Sequence, residues 1–114
     1  MQSSRDIIQA AWEMKKAVPA FNIPYLPMME PVVRAVKDTD SAALIEVARL
    51  EWTKFEAQGP GPIIDEFRKW ADPACVRLHL DHVPVIDEDG QRVDYLAIMR
   101  EAIGLGYESV MVDG

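Results

Sequence analysis

The feature that most limits what this chain can become is its regular exchange between two hydrophobic periods. Short, mostly apolar runs recur at Ala17–Ile23, Ser41–Ala48, Val76–Val83 and Ser109–Val112. Near-continuous apolar runs of this length suit strands covered on both faces, as in parallel sheets. Stretches with apolar residues at helical spacing stand between them. Met29, Val32, Val33 and Val36 fall at i, i+3, i+4 and i+7, the pattern of a helix packed on one face. Ile63, Ile64, Phe67 and Trp70 form a second such face, with Pro62 suited to the first turn. Asp94 is placed to cap a third helix carrying Leu96, Met99 and Ile103, which stops at Gly104-Leu105-Gly106. Ahead of the first run, Ser3 and Asp6 make a capping pair before the stripe Ile7, Ile8, Ala11 and Trp12. Arg49–Gly61 reads as looser chain, and Val83–Val93, with Pro84 and Asp89-Gly90, as a turn-rich excursion or hairpin.

Successive strand candidates start about 24 to 35 residues apart, the size of a repeating β–α unit. The fold class is therefore α/β, with parallel strands covered by helices. An open doubly wound sheet and a TIM (βα)8 barrel both fit this order. Neither a Gly-x-Gly-x-x-Gly turn nor a Walker-type phosphate loop follows any strand, which disfavours nucleotide binding by those devices. A barrel takes about 250 residues, so this chain of 114 supplies roughly the first four of its units. Residues 1–114 are thus expected to form a single partial domain, the N-terminal half of a barrel, stopping where a loop should begin at Val112-Asp113-Gly114. A half-barrel would leave an open sheet edge, favouring a homo-oligomer or completion by a C-terminal half.

Charge and composition exclude some partners. The net charge is −7, from 19 acidic and 12 basic residues, without the basic stripe that neutralises nucleic-acid phosphates. No apolar run is long enough to span a bilayer, and the polar start Met1–Asp6 lacks a signal-type segment, so a cytoplasmic location is expected. The single cysteine, Cys75, rules out an internal disulfide and reads as a small packing residue.

Leu78-His79-Leu80-Asp81-His82 carries the most chemical information. In a regular strand His79 and Asp81 share one face and His82 the other. Where the strand turns at its C-terminal end, Asp81 and His82 can both reach the rim on which barrel active sites lie. A hydrogen-bonded core cluster accounts for the same residues, and His79, deeper in the strand, reads as structural. Asp113 ends the next strand, about 4.8 Å away in a parallel sheet, and so can stand beside His82; an Asp-Gly after a strand is also a common turn. Trp12, Phe67, Trp70 and the methionines are expected in the core or in helix packing, Glu51, Glu56, Glu66 and Glu101 on solvated helix faces, and Trp52 and Phe55 either over the site or in solvent-side packing.

Ala17-Val-Pro-Ala-Phe-Asn-Ile23, His79-Leu-Asp-His82 and Glu108-Ser-Val-Met-Val-Asp-Gly114 occur in the order and approximate spacing of segments of the class II fructose- and tagatose-bisphosphate aldolases, which this chain resembles along its whole length. The resemblance implies a metal-dependent lyase that makes or breaks a C–C bond in a phosphorylated ketose through a metal-stabilised enediolate. It implies His82 as a ligand of a catalytic Zn2+ or other divalent ion, Asp81 as the acid/base at the C4 oxygen, Asp113 as a carboxylate of a second metal position, and Asn22 as a substrate-binding residue. The family's other two zinc histidines, a glutamate and glycine-rich phosphate loops belong to later strands. The second strand departs from the pattern: where relatives carry Gln and then a hydroxyl residue, this chain has Glu46 and Ala48, with Arg49 after them. A non-catalytic half-barrel acting as a subunit or scaffold is the competing reading.

Overall fold

The computed structural model describes residues 3–113. Its elements run α1 (Ser4–Glu13), β1 (Ala20–Asn22), α2 (Met29–Asp38), β2 (Ala43–Ala48), α3 (Arg49–Lys54), α4 (Pro60–Trp70), β3 (Val76–Val83), α5 (Tyr95–Leu105) and β4 (Ser109–Val112). A short 3-10 turn, Leu26–Met28, leads into α2.

The four strands form one parallel sheet in the order β1-β2-β3-β4. Doubly wound sheets reverse their strand order at a switch point. No reversal occurs here, and α2 packs on α4, which packs on α5. The helices therefore line one face side by side, which is the wall of a (βα) barrel with its helices outside.

Register fixes what each face holds. Ala43, Ile45 and Val47 of β2 pair with Val76, Leu78 and Leu80 of β3. Ile45, Val47, Leu78 and Leu80 are at most 1% exposed and join Met29, Val33, Ile63, Ile64 and Ala102 in one apolar core. The intervening residues Leu44, Glu46 and Ala48 pair with Arg77, His79 and Asp81 on the opposite face.

Local signals start and stop the helices. The Ser3 hydroxyl accepts from the Asp6 N–H at 3.1 Å and the Asp6 carboxylate accepts from the Ser3 N–H at 3.0 Å, a reciprocal cap. Asp94 accepts from the Ala97 N–H at 3.1 Å, and Gly106, at φ 113, ends α5 in a left-handed turn. A Cβ at Gly106 would stand 3.0 Å from Arg68 Nη2 and 3.4 Å from Ile64 Cδ1. The excursion after β3 closes on an antiparallel bridge between Ile86 and Arg92, its turn held by Asp87, which accepts from the N–H groups of Asp89 and Gln91.

Several packing expectations are corrected. Trp12 is 78% exposed and Ile8 49%, because α1 buries the line Ser4, Ile7 and Ala11, and residues one position on sit about 100° round the axis. Tyr95, Ile98, Ala102 and Leu105 form the packed face of α5, leaving Leu96 and Ile103 in solvent. Trp70, at the end of α4, is exposed and donates its indole N–H to Glu66. The supposedly loose stretch contains α3, whose Trp52 is buried in the core, while Phe55 is exposed. A helix of only six residues shows too little periodicity to be read. Among the described residues no helix is long and apolar enough to cross a membrane.

Two substitutions check this account by urea denaturation. Ile45→Ala should cost about 2–5 kcal/mol through an unfilled cavity. Gly106→Ala should cost at least about 1 kcal/mol, since it adds a side chain at positive φ. A loss under about half a kcal/mol at either position would contradict the assigned packing.

Candidate active site

All four strands and the turn after the last deliver polar groups to the inner face of the sheet, through two devices. The first is strand register alone. Asn22 pairs with Glu46, Glu46 with His79, and His79 with Ser109. These four residues form a polar row across the inner face of the whole sheet, where parallel strands are ordinarily apolar. Asp81 stands one step higher, opposite Ala48.

The second device is an irregularity in β3. Leu80 pairs with Val110 but Val83 with Val112, so β3 carries one residue more than β4 between these pairs. Such a bulge re-aims side chains. It allows two consecutive residues, Asp81 and His82, to converge. The His82 Nε2 lies 3.5 Å from Asp81 Oδ1, and its Nδ1 lies 3.0 Å from Asp113 Oδ2. Asp81 is 6% exposed, whereas the His82 side chain is 55% exposed. The imidazole therefore stands at the opening with a carboxylate on each nitrogen.

Asn22 and Glu51 complete the rim. The Asn22 amide donates to Asp81 Oδ2 at 3.3 Å and to Glu51 Oε1 at 2.7 Å. Glu51 Oε1 also accepts from the Ala48 N–H at 3.0 Å, which satisfies a free backbone donor at the start of α3. Glu51 is thus a fixed member of the site, not the solvated helix residue expected. Asp81, His82, Asp113 and Asn22, the residues singled out in the sequence, are all brought together. Sequence reasoning missed Glu51, because α3 was not foreseen, and the pairing of Glu46 with His79. A charged residue inside the apolar run of β2 was the available signal for the latter.

Burial disfavours charge deeper in the row. Desolvation raises the Glu46 carboxyl above its usual range, reinforced by the charges of Asp81 and Glu51. Desolvation lowers the His79 imidazole, against the opposing pull of Asp81. The contact of 4.0 Å between His79 Nε2 and Glu46 Oε2 is accordingly too long for a hydrogen bond and joins two groups that both resist charging. The other ring nitrogen, Nδ1, sits 2.7 Å from the Ser109 hydroxyl.

A cleft of about 290 Å³ opens at the rim, lined by Ala48, Leu50, Glu51, His82, Ile86 and Asp113 among others. A larger hollow of about 540 Å³ lies under α1 and the starts of the strands, lined by Ile7, Ala11, Met14 and Val18. The larger hollow includes Lys16, Asp40 and Ser41 but none of Asp81, His82 and Asp113; the smaller cleft holds His82 and Asp113 and is therefore the candidate site.

His82 suits a metal ion. A ligating histidine ordinarily has its second ring nitrogen held by a carboxylate or carbonyl, and Asp113 is in that position. Nε2 is left as the nitrogen to bind, beside Asp81.

A sheet wound in sequence order, with outer helices and a titratable cluster at the C-terminal rim, defines the class of fold: the wall of a (βα) barrel. Residues 2–114 match the family described as Fructose-bisphosphate aldolase class-II, and the chain belongs to that family. The family consists of aldolases with a TIM-barrel fold, generally dependent on a metal. No curated protein sequence matches the chain.

Replacing Glu46 tests the electrostatics. A carboxyl raised in the folded state is least costly while protonated, so its penalty grows as pH rises through the folded value and is absent below the ordinary value of 4.5. In chelator, Glu46→Gln should therefore melt higher than the native protein at pH 8, with the difference vanishing below pH 4.5. A difference that does not change with pH would show that Glu46 ionises as it does in water.

Proposed function

We propose that this chain supplies the acid/base and the first metal-binding imidazole of a metal-dependent aldolase acting on a phosphorylated ketose, with Zn2+ the expected ion. The observation that carries this reading is the convergence of Asp81, His82 and Asp113 at one open rim, with His82 between two carboxylates. The bound ion would act as a Lewis acid, drawing electrons from the substrate ketone.

The protein's own residues do the rest. His82 would hold the ion, while Asp113 fixes the ring through Nδ1. The Asp81 carboxylate takes the proton from the C4 hydroxyl as the C3–C4 bond breaks to leave an aldehyde, and returns it in the forming direction. The Asn22 amide, bonded to Asp81 and Glu51, keeps that carboxylate aimed and presents a polar edge to substrate. The burial of Asp81 strengthens its contacts. The edges of β1 and β4 carry no further strand among the described residues; in this reading the remaining strands of the barrel, or another copy, pair with them. We take the cytoplasm as the place of action, in keeping with a metabolic sugar substrate.

Two variants separate the roles. Asp81→Asn should lower the rate of C–C cleavage by about 10²–10⁴-fold while metal binding at His82 persists. His82→Ala should lower the number of Zn2+ ions bound and reduce the rise in melting temperature that Zn2+ gives the native protein. An unchanged response to zinc in the His82 variant would overturn the assignment.

A further inference from the structure

The row beneath the rim holds groups that the roles above leave unused. Glu46, His79 and Asp81 each present one ligand atom, and these atoms lie within 4.8 Å of one another. Glu46 and His79 face each other on paired strands. His79 is 8% exposed and Asp81 6%. The Ser109 hydroxyl holds Nδ1 of His79, which leaves Nε2 directed at Glu46 with no hydrogen-bond partner among the described residues. Neither carboxylate has a Lys or Arg within ion-pair distance among the described residues. One half-buried and one buried carboxylate thus converge with an imidazole, and no Lys or Arg stands between them among the described residues.

We propose that Glu46, His79 and Asp81 form a second, inner site for a divalent cation, separate from the rim imidazole of His82. The gap of 4.0 Å between His79 Nε2 and Glu46 Oε2 is too long for a hydrogen bond, and an ion bonded at about 2.0–2.2 Å to each partner spans it. One imidazole nitrogen and two carboxylates suit Mn2+, Co2+ or Zn2+. Ser109 supplies the outer contact that a ligating histidine needs on its second nitrogen. His79, expected from the sequence to be structural, becomes a ligand here. The inner ion takes a lone pair of Asp81 and so weakens it as a base, which slows proton transfer by Asp81. Excess metal would then inhibit. That consequence rests on the aldolase reading; the inner site itself does not.

The test is equilibrium dialysis of Mn2+ and of Zn2+ against metal-stripped protein in its native assembly, comparing native, Glu46→Gln, Asp81→Asn and His82→Ala. Glu46→Gln keeps the side-chain volume, and a melting curve establishes that it folds. The native protein should bind two ions, with affinity at the inner site falling at least tenfold in Glu46→Gln and in Asp81→Asn. His82→Ala should lose the rim ion and keep the inner one. If Glu46→Gln and Asp81→Asn both bind as the native protein does, the inner site is overturned while the rim assignment stands. If only His82→Ala is without effect, the rim assignment fails and the inner site survives.

Discussion

The parallel pairing of β2 with β3 is the constraint from which the rest of this molecule follows. It places Ile45 and Val47 beside Leu78 and Leu80 on one face, and Glu46 and Ala48 beside His79 and Asp81 on the other. A shift of one residue in either strand would exchange the two sets, because side chains alternate along a strand. The apolar set is covered by α2, α4 and α5. The burial of that set therefore holds the register, and the register in turn assembles the polar row. Packing on the outside of the wall decides chemistry on the inside.

The bulge in β3 adds what regular pairing cannot provide. Without it, Asp81 and His82 would point to opposite faces. With it, the buried carboxylate and the exposed imidazole lie 3.5 Å apart. Asp113, just past the end of β4, closes the arrangement on the second nitrogen of His82. The site thus grades from an open, charged rim to a desolvated interior in which Glu46 and His79 both resist ionisation.

Much of the architecture was readable residue by residue. Val76–Val83 and Ser109–Val112 form strands with the bounds expected, Asp94 and Gly106 frame α5, and Ser3 with Asp6 starts α1. These features are local: a cap or a left-handed turn depends on neighbours within a few residues. The rotational phase of α1 and α5 was not readable, because both carry apolar residues round more than half their circumference. Trp12 and Ile103 face solvent because each helix buries only one stripe, Ser4, Ile7 and Ala11 in α1 and the line through Ala102 in α5. The helix α3 was hidden for another reason, since Glu51 reaches back to the Ala48 N–H in place of a Ser, Thr, Asp or Asn cap.

The sequence by itself determined the alternation of strands and helices, the family, and the identity of the four polar residues at the rim, because hydrophobic period and short motifs are written in neighbouring residues. Only the tertiary structure decided that Asn22, Glu46, His79 and Ser109 stand in one row and that Glu51 belongs to the site. Those residues come from separate strands and a helix up to 87 positions apart (Asn22 to Ser109, 109 − 22). Their proximity is a property of strand register, which is set by the burial of the opposite face.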